Sequence, residues 1–97
     1  MGQNPSIIFK QLYSKAKHKQ RAIESIGGAS GTDGLICKMN NKDHCYYVPY
    51  KDVVREFLLQ GYSEQKAEKH ITQWLDYELA WITYCDGFKL MGFADVI

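Results

Sequence analysis

Residues 49–93 read PYKDVVREFLLQGYSEQKAEKHITQWLDYELAWITYCDGFKLMGF, and this stretch decides the fold. Apolar residues recur at helical spacing in 50–60 and again in 64–77. Gly61 suits the left-handed backbone that ends many helices, and Ser63 is a preferred N-cap residue. The pattern therefore predicts two helices joined by a tight turn.

The stretch continues as a predicted β-hairpin. Residues 79–84 and 88–93 are rich in the apolar and aromatic residues typical of strands. They flank Asp86-Gly87, a dipeptide that favours a two-residue hairpin turn. We therefore expect these two segments to pair antiparallel.

Helical periodicity also assigns an inward and an outward side to each helix. In the first helix the side predicted to be buried comprises Tyr50, Val54, Phe57 and Leu58, with Val53 at its edge. Leu59 falls outward, so it needs cover from the amino-terminal helix or from a partner. In the second helix the predicted inward residues are Ala67, Ile71, Trp74, Leu75 and Glu78. The predicted outward residues are Gln65, Lys66, Lys69, Thr72, Gln73 and Asp76.

At these residues the chain resembles the winged helix-turn-helix family. The resemblance rests on Gly61-Tyr62-Ser63 at the turn, Ala67, Ile71 and Trp74 within the second helix, and an apolar strand from Leu79 to Ile82 entering a wing. It covers 49–93 and implies an α+β fold of three helices with a C-terminal β-hairpin. It also implies a DNA-binding protein, specifically a dimeric transcriptional regulator, because such a reader needs two half-sites for specificity.

If this resemblance extends to function, base edges would be contacted by the polar outward residues of the second helix. Phosphate contacts would come from cations on the wing and on the amino-terminal helix. The predicted DNA-binding set is Gln65, Lys66, Lys69, Thr72, Gln73, Lys89, Lys10, Lys17 and Arg21. The alternative is a protein-interaction or homodimerisation module on the same frame with no nucleic-acid role.

Two departures from the family pattern bear on this choice. Glu78 stands where the family commonly has glycine before the strand. The second helix carries Glu64, Glu68 and Asp76 against Lys66 and Lys69, so its formal charge is −1. Affinity for a duplex grows with the number of phosphates that lysine and arginine neutralise, and this helix contributes little to that.

Upstream, residues 6–26 form a predicted amphipathic helix. Its apolar stripe comprises Ile8, Leu12, Ala16, Ile23 and Ile26, with Phe9 and Tyr13 on its shoulder. Lys10, Lys17 and Arg21 lie on the opposite face, which is either a phosphate-contacting face or a solvated helix back. Residues 27–34 are a glycine-rich connector. Beyond it, 35–48 is predicted as a short hairpin, or as a single strand at 45–48.

Composition bounds the remaining possibilities. The chain of 97 residues fits a single domain spanning 1–97, with a formal net charge of +1. Residues 1–50 carry seven Lys/Arg and three acids, whereas 51–97 carry five and eight. Three cysteines and no secretory pattern indicate reduced thiols, and hence a cytoplasmic protein.

The sequence offers little for catalysis or metal binding, so we expect no enzyme and no cofactor. Cys37, His44, Cys45 and Cys85 lack the paired spacing of a zinc site, and neighbours in a strand point to opposite faces. No stretch is long and apolar enough to span a membrane. Residues 1–6, MGQNPS, match the short myristoylation pattern, but Asn4-Pro5-Ser6 is also an ordinary start for a helix.

Overall fold

The structure, a computed structural model, describes residues 4–25, 36 and 46–93 of the chain. Its described parts contain three helices and one three-stranded antiparallel sheet, an α+β arrangement. In chain order the elements are α1 (Pro5–Ser25), β1 (Tyr46–Pro49), α2 (Tyr50–Leu59), α3 (Glu64–Asp76), β2 (Ala80–Cys85) and β3 (Phe88–Phe93). The strand order is β1-β3-β2, so β3 is central and the β2–β3 hairpin is joined by a strand from before α2.

Helix α1 begins with a side-chain cap. The Asn4 Oδ1 atom accepts a hydrogen bond from the Ser6 N–H at 2.9 Å, and Pro5 occupies the first helical position, where it needs no N–H partner. The predicted stripe is confirmed at Ile8, Leu12 and Ala16, which are all buried. The side chains of residues 23 and 26 lie outside the described part of the molecule.

Phe9 lies at the centre of the core, more deeply than its predicted place on the shoulder of the stripe. Its side chain is fully buried, and its ring centroid is 5.3 Å from Phe57, 4.1 Å from Trp74 and 5.8 Å from Phe93. These rings belong to α2, α3 and β3. A single side chain of α1 therefore contacts both other helices and the central strand of the sheet.

The turn after α2 follows the prediction. Gly61 has φ +91°, and its N–H donates to the Leu58 carbonyl at 3.0 Å. The Tyr62 N–H donates to the Phe57 carbonyl at 3.1 Å, and the two rings lie 5.2 Å apart. This is a Schellman motif with its hydrophobic contact. It is followed by the predicted N-cap, since Ser63 Oγ accepts from the Lys66 N–H at 3.2 Å.

The hairpin also has the predicted turn. Asp86 and Gly87 have φ values of 50° and 82°, the positive pair that a type I′ turn requires. Pairing runs from Cys85 opposite Phe88 to Ala80 opposite Phe93. The hairpin is therefore in register along its whole length.

Only one part of the prediction for 35–48 is confirmed. The strand at 45–48 corresponds to β1, which pairs with β3. A strand over 35–39 is wrong at Ile36, whose backbone is helical, and its other residues lie outside the described ranges. Ile36 is buried against Tyr47 and Leu90 on the side of the sheet away from the main core. Tertiary burial of this kind overrides the strand preference of isoleucine.

The buried side of α2 is rotated from the predicted one. Val53, predicted at the edge, is fully buried with Phe57, whereas Leu58 is 46% exposed. Because α2 packs against α1, α3 and β3 together, the residues one turn apart at 53 and 57 face the core. Leu59 is 71% exposed, so α1 does not cover it.

The prediction for Glu78 is also wrong. It was predicted on the inward face of the helix, but it lies beyond the end of α3, is exposed and has φ +60°. Its N–H donates to the Leu75 carbonyl, and the Leu79 N–H donates to the Trp74 carbonyl, both at 3.1 Å. Glu78 thus holds the left-handed position of a Schellman motif, the position at which glycine is usual.

Candidate nucleic-acid interface

Helix α3 presents five of the nine residues that the sequence predicts to contact DNA. Buried Ala67 and Ile71 fix the inward side of the helix, and the Ser63 cap fixes its start. The predicted residues Gln65, Lys66, Lys69, Thr72 and Gln73 are all exposed. Glu64, Glu68 and Asp76 are exposed on the same helix. We call the exposed surface made by these eight residues the α3 face; its formal charge is −1.

A second surface lies between α1, the start of α2 and the hairpin turn. It is a cleft of about 580 Å³ lined by Lys19, Pro49, Tyr50, Lys51, Asp52, Arg55, Gly87, Phe88 and Lys89. We call it the basic cleft. Its described lining carries four cations and one carboxylate, a formal charge of +3.

The sheet register explains why these segments meet. Pro49, the last residue of β1, lies opposite Leu90, near the start of β3. The first turn of α2 therefore lies beside the hairpin turn, although the two are separated by nearly forty residues of sequence. Pro49 has φ −54° and ψ 134°, an extended backbone that turns the chain directly from the strand into the helix.

Lys89 is held against one wall of the basic cleft. Its Nζ atom lies 3.9 Å from the centroid of the Tyr50 ring, a cation–π contact. Burial raises the pKa of Tyr50 above its usual value, and the negative charge of Glu68 adds to this effect. Since Glu68 belongs to the α3 face, the two surfaces adjoin at Tyr50.

The carboxylate in the cleft is already paired. Asp52 Oδ1 accepts from Arg55 Nη2 at 2.9 Å, one turn along α2. Guanidinium has five N–H donors, so this pair leaves Arg55 with donors for a further acceptor. Farther along the same side, Lys15 Nζ lies 3.5 Å from Glu56 Oε1 and joins α1 to α2.

The predicted cations of α1 lie away from the cleft. Lys10 and Arg21 are exposed and Lys17 is half-buried, but α1 contributes Lys19 to the cleft lining. At 100° per residue, Lys17 and Arg21 lie roughly 160° around the helix axis from Lys19.

Of the nine predicted residues, only Lys89 lines the basic cleft. Sequence reasoning missed Lys19, Lys51 and Arg55. The i, i+4 spacing of Lys51 and Arg55 at the start of α2 was a signal that could have found two of them.

The side chains of His70 and Cys85 pack against aromatic and apolar neighbours. His70 stacks on Phe57 at 6.2 Å and meets the Tyr62 ring edge-on at 5.5 Å. Cys85 is a free, half-buried thiol packed beside Ile36, Tyr47 and Leu90. Within residues 4–25, 36 and 46–93, no three His, Cys, Asp or Glu side chains are grouped to hold a metal ion. Cys37, His44 and Cys45, which the sequence analysis considered as zinc ligands with Cys85, lie outside those ranges.

None of the helices in the described part of the chain is long and apolar enough to cross a membrane.

Comparison with protein-family models, with curated proteins and with solved structures finds no match in any of the three.

Proposed function

We propose that the protein is a small winged-helix DNA-binding protein, working as a dimeric transcriptional regulator. The observation that carries the proposal is the basic cleft beside the α3 face. Four cations from α1, α2 and the hairpin surround it, although the chain as a whole has a formal charge of only +1. Local segregation of positive charge is the electrostatic footprint of a nucleic-acid-binding protein.

The order of the elements supports the same proposal. The chain runs α1, β1, α2, α3, β2, β3, and the sheet order is β1-β3-β2. This is the arrangement expected if α3 reads a groove and the β2–β3 hairpin is a wing. Lys89 then supplies a wing cation at the boundary between the α3 face and the basic cleft.

The two surfaces would have different tasks on a duplex. Gln65, Thr72 and Gln73 are exposed on α3 and have the amide and hydroxyl groups that pair with base edges. Lys66 and Lys69 add two cations, but three carboxylates on the same face offset them. We therefore assign most of the phosphate attraction to the basic cleft, since phosphate contacts position a protein and base contacts specify the site.

A fluorescence-anisotropy titration of mixed-sequence duplex DNA tests the proposal. We expect binding at about 50 mM salt and much weaker binding at about 200 mM, with log K falling by about 0.9 per phosphate neutralised for each unit of log salt. Light scattering on the DNA complex reports whether two chains bind per site. Absence of binding at the lower salt concentration would rule the proposal out, because nonspecific contacts survive there.

The second candidate function is a protein-interaction or homodimerisation module on the same frame. It is favoured by Leu58 and Leu59, which are adjacent and exposed at the last turn of α2. Light scattering of the free protein, with Leu59→Ser as the variant, tests it. A dimer that the variant dissociates, in a protein that does not bind DNA, would replace the DNA-binding proposal by this one.

A further inference from the structure

The basic cleft is concave, and its charged side chains come from separate elements. Lys19 lies on α1, Lys51 and Arg55 on α2, and Lys89 on β3. A cleft lined by charges of one sign concentrates the field and raises the local concentration of ions of the opposite sign. The shape and charge together favour an anionic ligand.

The start of α2 adds to this field. Residues 49–52 line the cleft, so the first turn of the helix faces it. The first N–H groups of a helix have no acceptor within the helix, and the proline at the N-cap has no side-chain oxygen to accept them. The positive end of the helix dipole therefore has the same sign as the four cations of the cleft.

Aromatic rings flank the charges. Tyr50 is half-buried on the α2 side, and Phe88 is 45% exposed at the hairpin. An exposed ring such as that of Phe88 can stack on a nucleobase, whereas a carboxylate-rich peptide gains nothing comparable from it. The volume of about 580 Å³ lies within the range of roughly 300–1,000 Å³ that is usual for small-molecule pockets.

We propose that the basic cleft binds the phosphate of a nucleotide, either within a nucleic-acid strand or in a free nucleotide. In the strand case this deepens the proposed function, and rests on it, by moving the main phosphate contacts from α3 to the cleft. In the free-nucleotide case it is independent of DNA binding. The cations Lys51 and Lys89 would donate to phosphate oxygens, and the base would stack on Phe88, because Lys89 already lies over the Tyr50 ring.

Lys51→Gln is the first variant, and Lys15→Gln is its matched control. Both lysines are exposed and helical, and both variants change the formal charge equally. Lys51 lies in the first turn of α2, where losing a cation favours the helix, so the fold should persist. Lys15 pairs with Glu56 and does not line the cleft. Circular dichroism verifies that both variants fold.

We expect Lys51→Gln to lower DNA affinity about tenfold, as loss of a hydrogen bond to a charged group does. The salt slope should fall by about one, as for a lost phosphate contact. Lys15→Gln should stay within about twofold of the parent, because Lys15 does not line the cleft and its charge is paired with Glu56. Lys89→Gln should behave like Lys51→Gln.

A second measurement needs no substitution. Labelled parent protein is titrated with ADP, with inorganic phosphate and with a polyglutamate peptide while amide resonances are followed. ADP should shift the amides of Lys51 and Asp52 and broaden Phe88, and inorganic phosphate should shift the same amides more weakly. Polyglutamate should have little effect at the same charge concentration.

The outcomes separate the two proposals. If DNA binds, the Lys51→Gln and Lys15→Gln affinities agree and ADP shifts no cleft amide, the cleft proposal is overturned and the DNA-binding proposal stands. If DNA does not bind but ADP shifts the cleft amides in the parent and not in Lys51→Gln, the cleft proposal stands alone. Binding of neither DNA nor ADP overturns both. Polyglutamate binding as tight as that of ADP or DNA would make the cleft an acidic-peptide site and overturn the nucleotide assignment.

Discussion

The α3 face and the basic cleft are neighbours on one small frame, yet their charges are opposite. The α3 face has two lysines and three carboxylates, whereas the cleft lining has four cations and one carboxylate that is already paired. A phosphate backbone would be drawn to the cleft and weakly repelled by the α3 face. If α3 reads a groove as proposed, this difference means that the reading helix would not supply most of the affinity. Attraction and base reading can come from separate surfaces.

The largest effect should come from disrupting the hydrophobic core that supports both surfaces. Phe9→Ala removes the ring that contacts Phe57, Trp74 and Phe93 in the core. We expect it to lower the free energy of unfolding by about 3–5 kcal/mol, as aromatic-to-alanine changes in cores do. Urea denaturation followed by tryptophan fluorescence measures this loss. Any binding of DNA or nucleotide to the proposed surfaces should be lost together with the fold.

Ile7→Ala is the matched control for Phe9→Ala. Ile7 precedes Phe9 by two residues on α1 and is 44% exposed, so its loss should cost at most about 0.5 kcal/mol. A cost for Phe9→Ala no larger than that of the control would contradict the central place of this ring.

Gly92→Ala should disturb the β2–β3 hairpin, which contributes Lys89 to the basic cleft, and leave α3 in place. A Cβ atom at residue 92 would lie 2.8 Å from ring atoms of both Trp81 and Tyr47, which must then move. We expect a cost of about 1–3 kcal/mol in unfolding free energy, the usual range for overpacking. Thermal unfolding followed by circular dichroism measures it.

A rescue variant sharpens this prediction. Trp81→Leu removes one of the two rings that crowd residue 92, so the double variant should be more stable than the sum of the single effects implies. Strict additivity would show that the Trp81 ring does not limit the space at Gly92.

Glu78→Gly acts just beyond the end of α3, the helix that carries the α3 face. Glu78 has φ +60°, a left-handed backbone that costs a non-glycine residue about 1–2 kcal/mol and costs glycine much less. We expect the variant to be more stable by about 1 kcal/mol in chemical denaturation. Tyr77→Gly is the control, because Tyr77 has φ −82° and glycine there should destabilise. If both substitutions destabilise, the C-terminal turn of α3 does not have the described conformation.

The turns could be predicted from sequence because they depend on the conformational preferences of single residues. Gly61 and Asp86-Gly87 adopt the positive φ values that their types favour, and Ser63 accepts the capping hydrogen bond. Glu78 could not be predicted in this way, since its left-handed backbone is imposed by the chain path from α3 into β2. A local preference is informative only where the tertiary structure does not oppose it.

The helix faces and the cleft needed more than local preference. Periodicity located an apolar side on α2 but did not centre it on Val53, because that depends on how α1 docks. The basic cleft joins Lys51 and Lys89, which become neighbours only through the pairing of β1 with β3, and Lys19, which comes from α1. Helical periodicity placed Lys10, Lys17 and Arg21 on the outer face of α1, whereas Lys19 is the α1 residue that lines the cleft. Phosphate contacts by the three outer cations stay a prediction.

The smallest predicted effect lies at the boundary between the two surfaces, where Lys89 contacts Tyr50. A double-mutant cycle with Tyr50→Leu and Lys89→Met should give a coupling of about 0.5–1 kcal/mol in unfolding free energy, the value for an exposed cation–π pair. Tyr50→Phe is the control: it keeps the ring and the cation–π contact, so its cycle with Lys89→Met should give a coupling near zero. If the Tyr50→Leu cycle also gives zero, Lys89 is free of the Tyr50 ring. Its charge would then be as available to the α3 face as to the cleft, and the contrast between the two surfaces would weaken at the point where they meet.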